Sequence, residues 1–334
     1  MTLCLVAFIA TTMGIRGLVP ERMKVEWYET KKEQADVLFL GSSHVFRQMD
    51  PVLFDEIRKV KEGEPRSLNL GTQGMELQEE IYLLKQILTD KPDALRWVIL
   101  EAQPFLIGLR NENDFGNRRI SWHDSETTWR LVKAGYRSTE PPEVRWDLAR
   151  RHIEHWWRRC LNLGRGMDAL EALGVEPLSL FEDQSALGVA DNGYLPLEMS
   201  TASTRNQQMR QSFRNNPGDM FRGANNLDPN RDTDAPDAEL LAVVREVEEL
   251  AAQKGVTLIW WLHPNLKHYP GWRHMAETQE IQHLIAMDDP QRFSDFYRMP
   301  LRFDLYHLNK EGAEMLTEEL AREFVHIQRE AQTP

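Results

Sequence analysis

The chain has 334 residues, of which 41% are hydrophobic and 28% charged. That apolar share is enough for a substantial core and excludes fibrous, collagen-like and wholly disordered classes. A formal net charge of -12 argues against nucleic acid as a partner, because phosphate neutralisation needs a basic face. Two cysteines, Cys4 and Cys160, exclude a disulfide framework and a cysteine-rich zinc site.

Residues 1–15 carry no charged side chain, and Arg16 closes the run. A membrane-spanning helix needs about 20 apolar residues. A secretory signal wants a basic start before its apolar stretch. Three readings fit: the end of a signal-anchor that begins upstream, a short uncleaved anchor, or a buried element of the folded domain. The first two put residues 1–20 at a membrane, with residues 21–35 as a polar stalk and the domain in the extracytoplasmic envelope. The third leaves a cytoplasmic protein.

Asp36-Val-Leu-Phe-Leu-Gly41 is a continuous apolar run closed by glycine, which fits a strand buried on both faces. Asp50-Pro51 then signals a helix start, with the helix over residues 52–60. Arg66-Ser-Leu-Asn-Leu70 is a second strand, followed by Gly71-Thr-Gln-Gly74 and a helix over residues 75–89 with Leu77, Ile81, Leu84 and Leu88 on one face. Residues 95–100 form a third strand. This alternation predicts an α/β fold with a parallel sheet and crossover helices, within which residues 36–110 form the first part of the domain.

The rhythm breaks over residues 111–236, read as a large insertion, mostly helical or irregular, over the sheet. Residues 125–163 have a helical pattern, and Trp122, Trp129, Trp146, Trp156 and Trp157 crowd this region. Burial is the usual fate of tryptophan, so packing between the insertion's helices is the leading reading; stacking on sugar rings or covering an acyl chain is the other. Residues 191–235 are polar, with the composition of a long binding loop or lid. The α/β pattern resumes over residues 237–330: a helix ending at Gly255, a strand at residues 256–262, and an amphipathic helix over residues 311–328.

Ser43 follows the first buried strand and precedes a helix. A hydroxyl there lies at the carboxyl edge of a parallel sheet, where ligands bind, next to backbone N–H groups without helical acceptors. Serine is also a common helix cap, so the position has a purely structural reading. Asp304 and His307 are spaced so that one helical turn would put both on one side, with Asp304 holding one imidazole nitrogen and freeing the other as a base. The plain alternative is a local Asp–His contact at the last helix. Gly74 lets backbone approach a ligand closely, or serves turn geometry alone.

Taken together, Leu40-Gly-Ser-Ser43, Asn69-Leu-Gly-Thr-Gln-Gly74 and Asp304-Leu-Tyr-His307-Leu-Asn-Lys-Glu-Gly312 resemble the blocks of the SGNH (GDSL-like) hydrolase superfamily. The resemblance spans residues 36–324. It implies a flavodoxin-like three-layer α/β/α sandwich, with Ser43 as nucleophile, His307 as base, Asp304 as its partner, and the Ser43 and Gly74 amides in the oxyanion hole. Ser42 stands where the commonest pattern has Asp. That substitution is similar to the membrane-anchored branch that includes the D-alanyl-lipoteichoic acid and alginate O-acetylation proteins. The family's Gly-x-Asn-Asp block after the third strand is missing, and Glu101-Ala-Gln-Pro104 stands there. Gln103 is the candidate replacement for its amide donor.

His263 and Asn265 follow the strand at residues 256–262 and are candidates to line the substrate, while His44 is expected to point away along its helix. No histidine spacing matches a metal motif, so neither a metal nor another cofactor is expected. The leading expectation is therefore a serine esterase or O-acyltransferase acting through an acyl-serine on an acylated glycan or other envelope polymer, with membrane contact through the N-terminus. The alternatives are a catalytically silent SGNH-like module that binds glycan or organises partners, and a soluble hydrolase of small esters.

Overall fold

The computed structural model describes residues 23–64, 66–108, 117–161, 163, 187–188, 190–199, 204–227 and 234–331. The run at residues 1–20 lies outside them. Among the described residues, no helix is long and apolar enough to cross a membrane.

The chain begins with helix α1, Met23–Lys31, and strand β1, Ala35–Leu40, followed by helices α2, Ser43–Gln48, and α3, Pro51–Arg58. Asp50 caps α3 by accepting the Val52 N–H at 2.9 Å, and Pro51 fills the first helical position, as the sequence signals required. Strand β2, Arg66–Asn69, helix α4, Leu77–Thr89, and strand β3, Trp97–Glu101, complete the first half. Helices α5, Asn117–Trp122, α6, Ser125–Arg137, and α7, Pro142–Cys160, come next, then α8, Thr204–Asn215, and α9, Gly218–Asn226. The last part runs α10, Ala238–Gln253; β4, Thr257–Leu262; α11, Trp272–Glu277; β5, Leu284–Ala286; and α12, Lys310–Ala331.

The chain divides into two compact units: Trp27–Phe105 with Gln184–Pro334, and Met1–Glu26 with Leu106–Asp183. The expected insertion at residues 111–236 is thus not one body, because its part from Gln184 onward belongs with the sheet. The expected stalk also differs: Trp27 and Tyr28 are buried, and the Trp27 indole donates to Asp191 at 2.7 Å.

All five strands are parallel, in the order β2-β1-β3-β4-β5. This is the flavodoxin-like order, and its switch point lies between β1 and β3. Successive side chains in a strand face opposite sides. Val37, Phe39, Ile99, Ile259, Trp261 and Ile285 pack with Phe54 of α3 and with Leu316, Leu320 and Phe324 of α12. Leu38, Leu40, Val98, Leu100, Leu258 and Trp260 are as deeply buried on the other face, where the Trp260 indole donates to Glu248 of α10. Each such large apolar side chain contributes about 1.5–3 kcal/mol when fully buried. The result is a three-layer α/β/α sandwich whose carboxyl edge carries the loops after every strand.

In the other unit, α6 and α7 confirm the helical pattern of residues 125–163. Trp122 is buried, but Trp129, Trp146 and Trp157 are exposed, at 48%, 74% and 52%. Mutual packing therefore does not account for most of this aromatic group. The polar stretch at residues 191–235 contains α8 and α9 rather than a continuous loop.

Candidate active site

The turn between β1 and α2 is built around a buried carboxylate. Gly41 sits at φ +153°, and a Cβ there would lie 2.7 Å from Glu101 Cβ and 2.8 Å from Glu101 Oε2. Only glycine leaves room for Glu101 beneath the turn. The Ser42 N–H donates to Glu101 Oε2 at 2.6 Å, and the Ser42 hydroxyl caps α2 by accepting the His44 N–H at 3.3 Å. Ser43 is the first residue of α2, so its N–H has no acceptor within the helix. Asn69 ties α2 to the end of β2: its amide donates to the Val45 and Met49 carbonyls, both at 2.8 Å, and its oxygen accepts the Gly71 N–H at 2.9 Å. The turn that follows closes with the Met75 N–H on the Thr72 carbonyl, with Gly74 at φ +68°.

The second half of the site comes from the loop before α12. Buried Arg302 staples this loop by donating to the Phe296, Leu305 and Pro264 carbonyls. Asp304 Oδ1 accepts the Tyr306 N–H at 2.7 Å and the His307 N–H at 2.9 Å. The pair therefore meets in a carboxylate-capped turn, not in the helical turn its spacing suggested. His307 Nδ1 is 3.0 Å from each Asp304 oxygen. Burial by itself would raise the Asp304 carboxyl, but the His307 hydrogen bond and charge, with the two backbone donors, hold it below its usual range. A carboxylate only accepts, so Nδ1 carries the proton and Nε2 presents its lone pair. That lone pair faces the Ser43 hydroxyl, with Nε2 2.8 Å from Oγ. Ser43, His307 and Asp304 thus form one hydrogen-bonded line across residues 264 positions apart.

Three residues that sequence reasoning passed over complete the surroundings. His44 does not point away along α2. Its Nδ1 lies 2.8 Å from Glu101 Oε1 and 2.9 Å from Ser42 Oγ, and its ring stacks on His263 at 3.6 Å and on His307 at 5.3 Å between centroids. Glu101 is 1% exposed; burial opposes its charge, but His44, His263 and the Ser42 side chain outweigh it and bring its pKa to about 2. Behind it, Glu80 accepts the Glu101 N–H at 2.8 Å and the Gln103 amide at 2.9 Å. Burial, then the charge of Glu101, pushes the Glu80 carboxyl well above its usual range. A carboxylate ending an otherwise apolar, buried strand was the available sequence signal, because such a group is costly unless it is partnered.

The remaining candidates are placed differently from expectation. Gln103 is buried and gives an amide N–H to Glu80, so its amide serves the interior rather than the Ser43 side. His263 is 1% exposed and lies behind His44, which removes it from a substrate-lining position. Burial, then the charge of His44, holds its pKa well below the ordinary value. Asn265 is also buried and spends its amide on its own turn, accepting the Lys267 N–H and donating to the His263 carbonyl.

Donor atoms of His44, Glu101 and His263 all lie within 4.8 Å of one another, the one such group of potential cation ligands among the described residues. The His44 and His263 rings are only 19° from parallel, however, so their in-plane lone pairs run side by side instead of converging. Direct hydrogen bonding from His44 to Glu101 fits this geometry better than shared coordination. No protein-family model, curated protein or solved structure matches the chain.

Proposed function

We propose that the protein is an SGNH-type serine ester hydrolase or O-acyltransferase that works through an acyl-enzyme on Ser43. The observation that carries this reading is the hydrogen-bonded line from Ser43 Oγ through His307 to Asp304. As Ser43 Oγ attacks an ester carbonyl, its proton passes to His307 Nε2 and the carbonyl oxygen becomes an oxyanion. The backbone N–H groups of Ser43 and Gly74 are the donors suited to that oxygen. Collapse of the intermediate breaks the bond to the leaving alcohol, which takes the proton from His307. Water, or the hydroxyl of an acceptor, then gives its proton to His307 and attacks the acyl carbon; as this intermediate collapses, the bond to Ser43 Oγ breaks and Oγ takes the proton back from His307.

The proposed substrate is an acylated glycan or another acylated envelope polymer, reached from a membrane through the N-terminus. Its support is the resemblance of the Gly41-Ser-Ser43 block to the membrane-anchored branch and the uncharged run at residues 1–15. One observation favours a silent binding module instead: the Gln103 amide, the candidate third oxyanion donor, is bound to Glu80.

A serine-reactive fluorophosphonate and p-nitrophenyl acetate separate the two readings. The expected result is labelling and hydrolysis by the full chain, both abolished in Ser43→Ala. Absent labelling, or equal labelling of the two proteins, would replace the enzyme with the silent module.

A further inference from the structure

The site contains two acid–imidazole couples, and the reading above uses only one. Asp304 holds His307 by Nδ1 and leaves Nε2 to Ser43. Glu101 holds His44 by Nδ1 in the same way, at 2.8 Å. Glu101 is also joined to the nucleophile turn at every residue before Ser43: it fills the space that glycine leaves at position 41, accepts the Ser42 N–H at 2.6 Å, and shares the His44 Nδ1–H with the Ser42 hydroxyl. An acceptor-only carboxylate fixes the Nδ1 proton. His263 closes one face of the His44 ring at 3.6 Å, and the Nδ1 hydrogen bond to Glu101 fixes its orientation. No described residue bonds His44 Nε2, and 16% of the side chain is open to solvent beside His307. A locked imidazole with one nitrogen spent and the other open is placed to meet a substrate.

We propose that His44 is a further catalytic residue, positioned by Glu101, whose Nε2–H donates to the carbonyl oxygen of the acyl group as negative charge develops on it. This deepens the Ser43 reading and rests on it. It also accounts for a missing part. The side-chain amide expected after the third strand is absent, and Gln103 faces Glu80. The strand's last residue, Glu101, supplies the third donor indirectly by aiming His44. Because Glu101 takes the Nδ1–H, donation from Nε2 requires His44 as an imidazolium, whose charge the buried Glu101 carboxylate at 2.8 Å balances. Glu101 touches no reacting atom; it acts through Ser42 and His44 and is a positioning residue.

The test compares the full chain with His44→Ala, His44→Gln, Glu101→Gln and the double variant His44→Ala/Glu101→Gln. The readouts are kcat and KM for p-nitrophenyl acetate, the rate of fluorophosphonate labelling, and Tm. Loss of one oxyanion donor costs about 100–1000-fold in kcat. His44→Ala should therefore lose about 100-fold or more in kcat with KM within about threefold, because the contact forms only in the transition state. His44→Gln keeps an amide donor and should recover at least about tenfold of that loss. If the couple acts as one unit, the double variant should be no slower than the slower single.

His44→Ala with more than a third of the wild-type kcat, His44→Gln no better than His44→Ala, or multiplying losses in the double variant would each overturn the proposal. The His44 variants decide the matter even if Glu101→Gln fails to fold. A wild-type chain inert to both probes would remove the Ser43 reading and this one together. An active wild type with an inert Ser43→Ala and an unimpaired His44→Ala would remove this one alone.

Discussion

Replacing Asp304 with Asn changes one atom and should reverse the direction of a proton. In the structure, the carboxylate accepts the Tyr306 and His307 N–H groups on Oδ1 and faces His307 Nδ1 with both oxygens at 3.0 Å. An Asn can keep its oxygen on the two backbone donors, which preserves the turn. Its NH2 group then faces His307 Nδ1, which must accept. The imidazole proton moves to Nε2, and the ring points a donor at Ser43 Oγ where it formerly offered a lone pair. A base in the wrong tautomer cannot take the serine proton. In the general serine-triad case this substitution lowers kcat by about 10⁴, which corresponds to about 5.4 kcal/mol at about 1.36 kcal/mol per tenfold.

The assay is p-nitrophenyl acetate hydrolysis and fluorophosphonate labelling by Asp304→Asn, with Tm measured in parallel. A loss of at least about 1000-fold is the expected outcome, with only a modest fall in Tm at neutral pH, since both backbone hydrogen bonds survive and only the stabilisation from the carboxylate charge is lost. An Asn variant that keeps a tenth of the wild-type kcat would refute the argument that Asp304 sets the His307 tautomer. A stability signature accompanies it. A carboxyl held below its usual range gives stabilisation that is fully present above about pH 4 and is lost as the pH falls further. Asp304→Asn should remove that part of the acid unfolding profile.

Two further outcomes follow from the same buried layer. In Gly41→Ala the new methyl would lie 2.5 Å from Val45 Cγ2 and 2.7 Å from Glu101 Cβ, at φ +153°. Backbone strain of about 1–3 kcal/mol and a similar overpacking term should lower Tm by several degrees and abolish fluorophosphonate labelling; an Ala variant with the wild-type Tm would show that the turn is not tight. Glu80 is fully buried, and its carboxyl is pushed well above the usual range by burial and by the charge of Glu101, so the folded state keeps this proton to higher pH than the unfolded chain does. Stability should therefore fall as the pH rises above the ordinary carboxylate range. Glu80→Gln should match the wild type near about pH 4 and become progressively more stable toward neutrality in urea unfolding; a stability difference that does not change with pH would remove the burial argument.

Local chemistry made a good part of this protein legible in its sequence. Buried parallel strands leave unbroken apolar runs, helices leave a repeat of three to four and their caps, and both signals lie within a few residues. This is why β1 to β4, Asp50-Pro51 as the start of α3, and the last helix could be read in order, and why Ser43 and the Asp304–His307 pair stood out at strand and loop ends. Strand β5, at Leu284–Ala286, was too short to show a period, and α8, Thr204–Asn215, is too polar to show an apolar face.

Only the tertiary structure decided the rest. In the sequence Glu101 is only the first residue of the stretch that stands in place of the missing block; folding places it under Ser42, 59 positions away, and His44 cannot be aimed before Glu101 and His263 enclose it. A helical period says which face a residue takes, not which charge waits there. That depends on strand order, which brings the carboxyl ends of β1 and β3 side by side and turns separate stretches of chain into one hydrogen-bonded site.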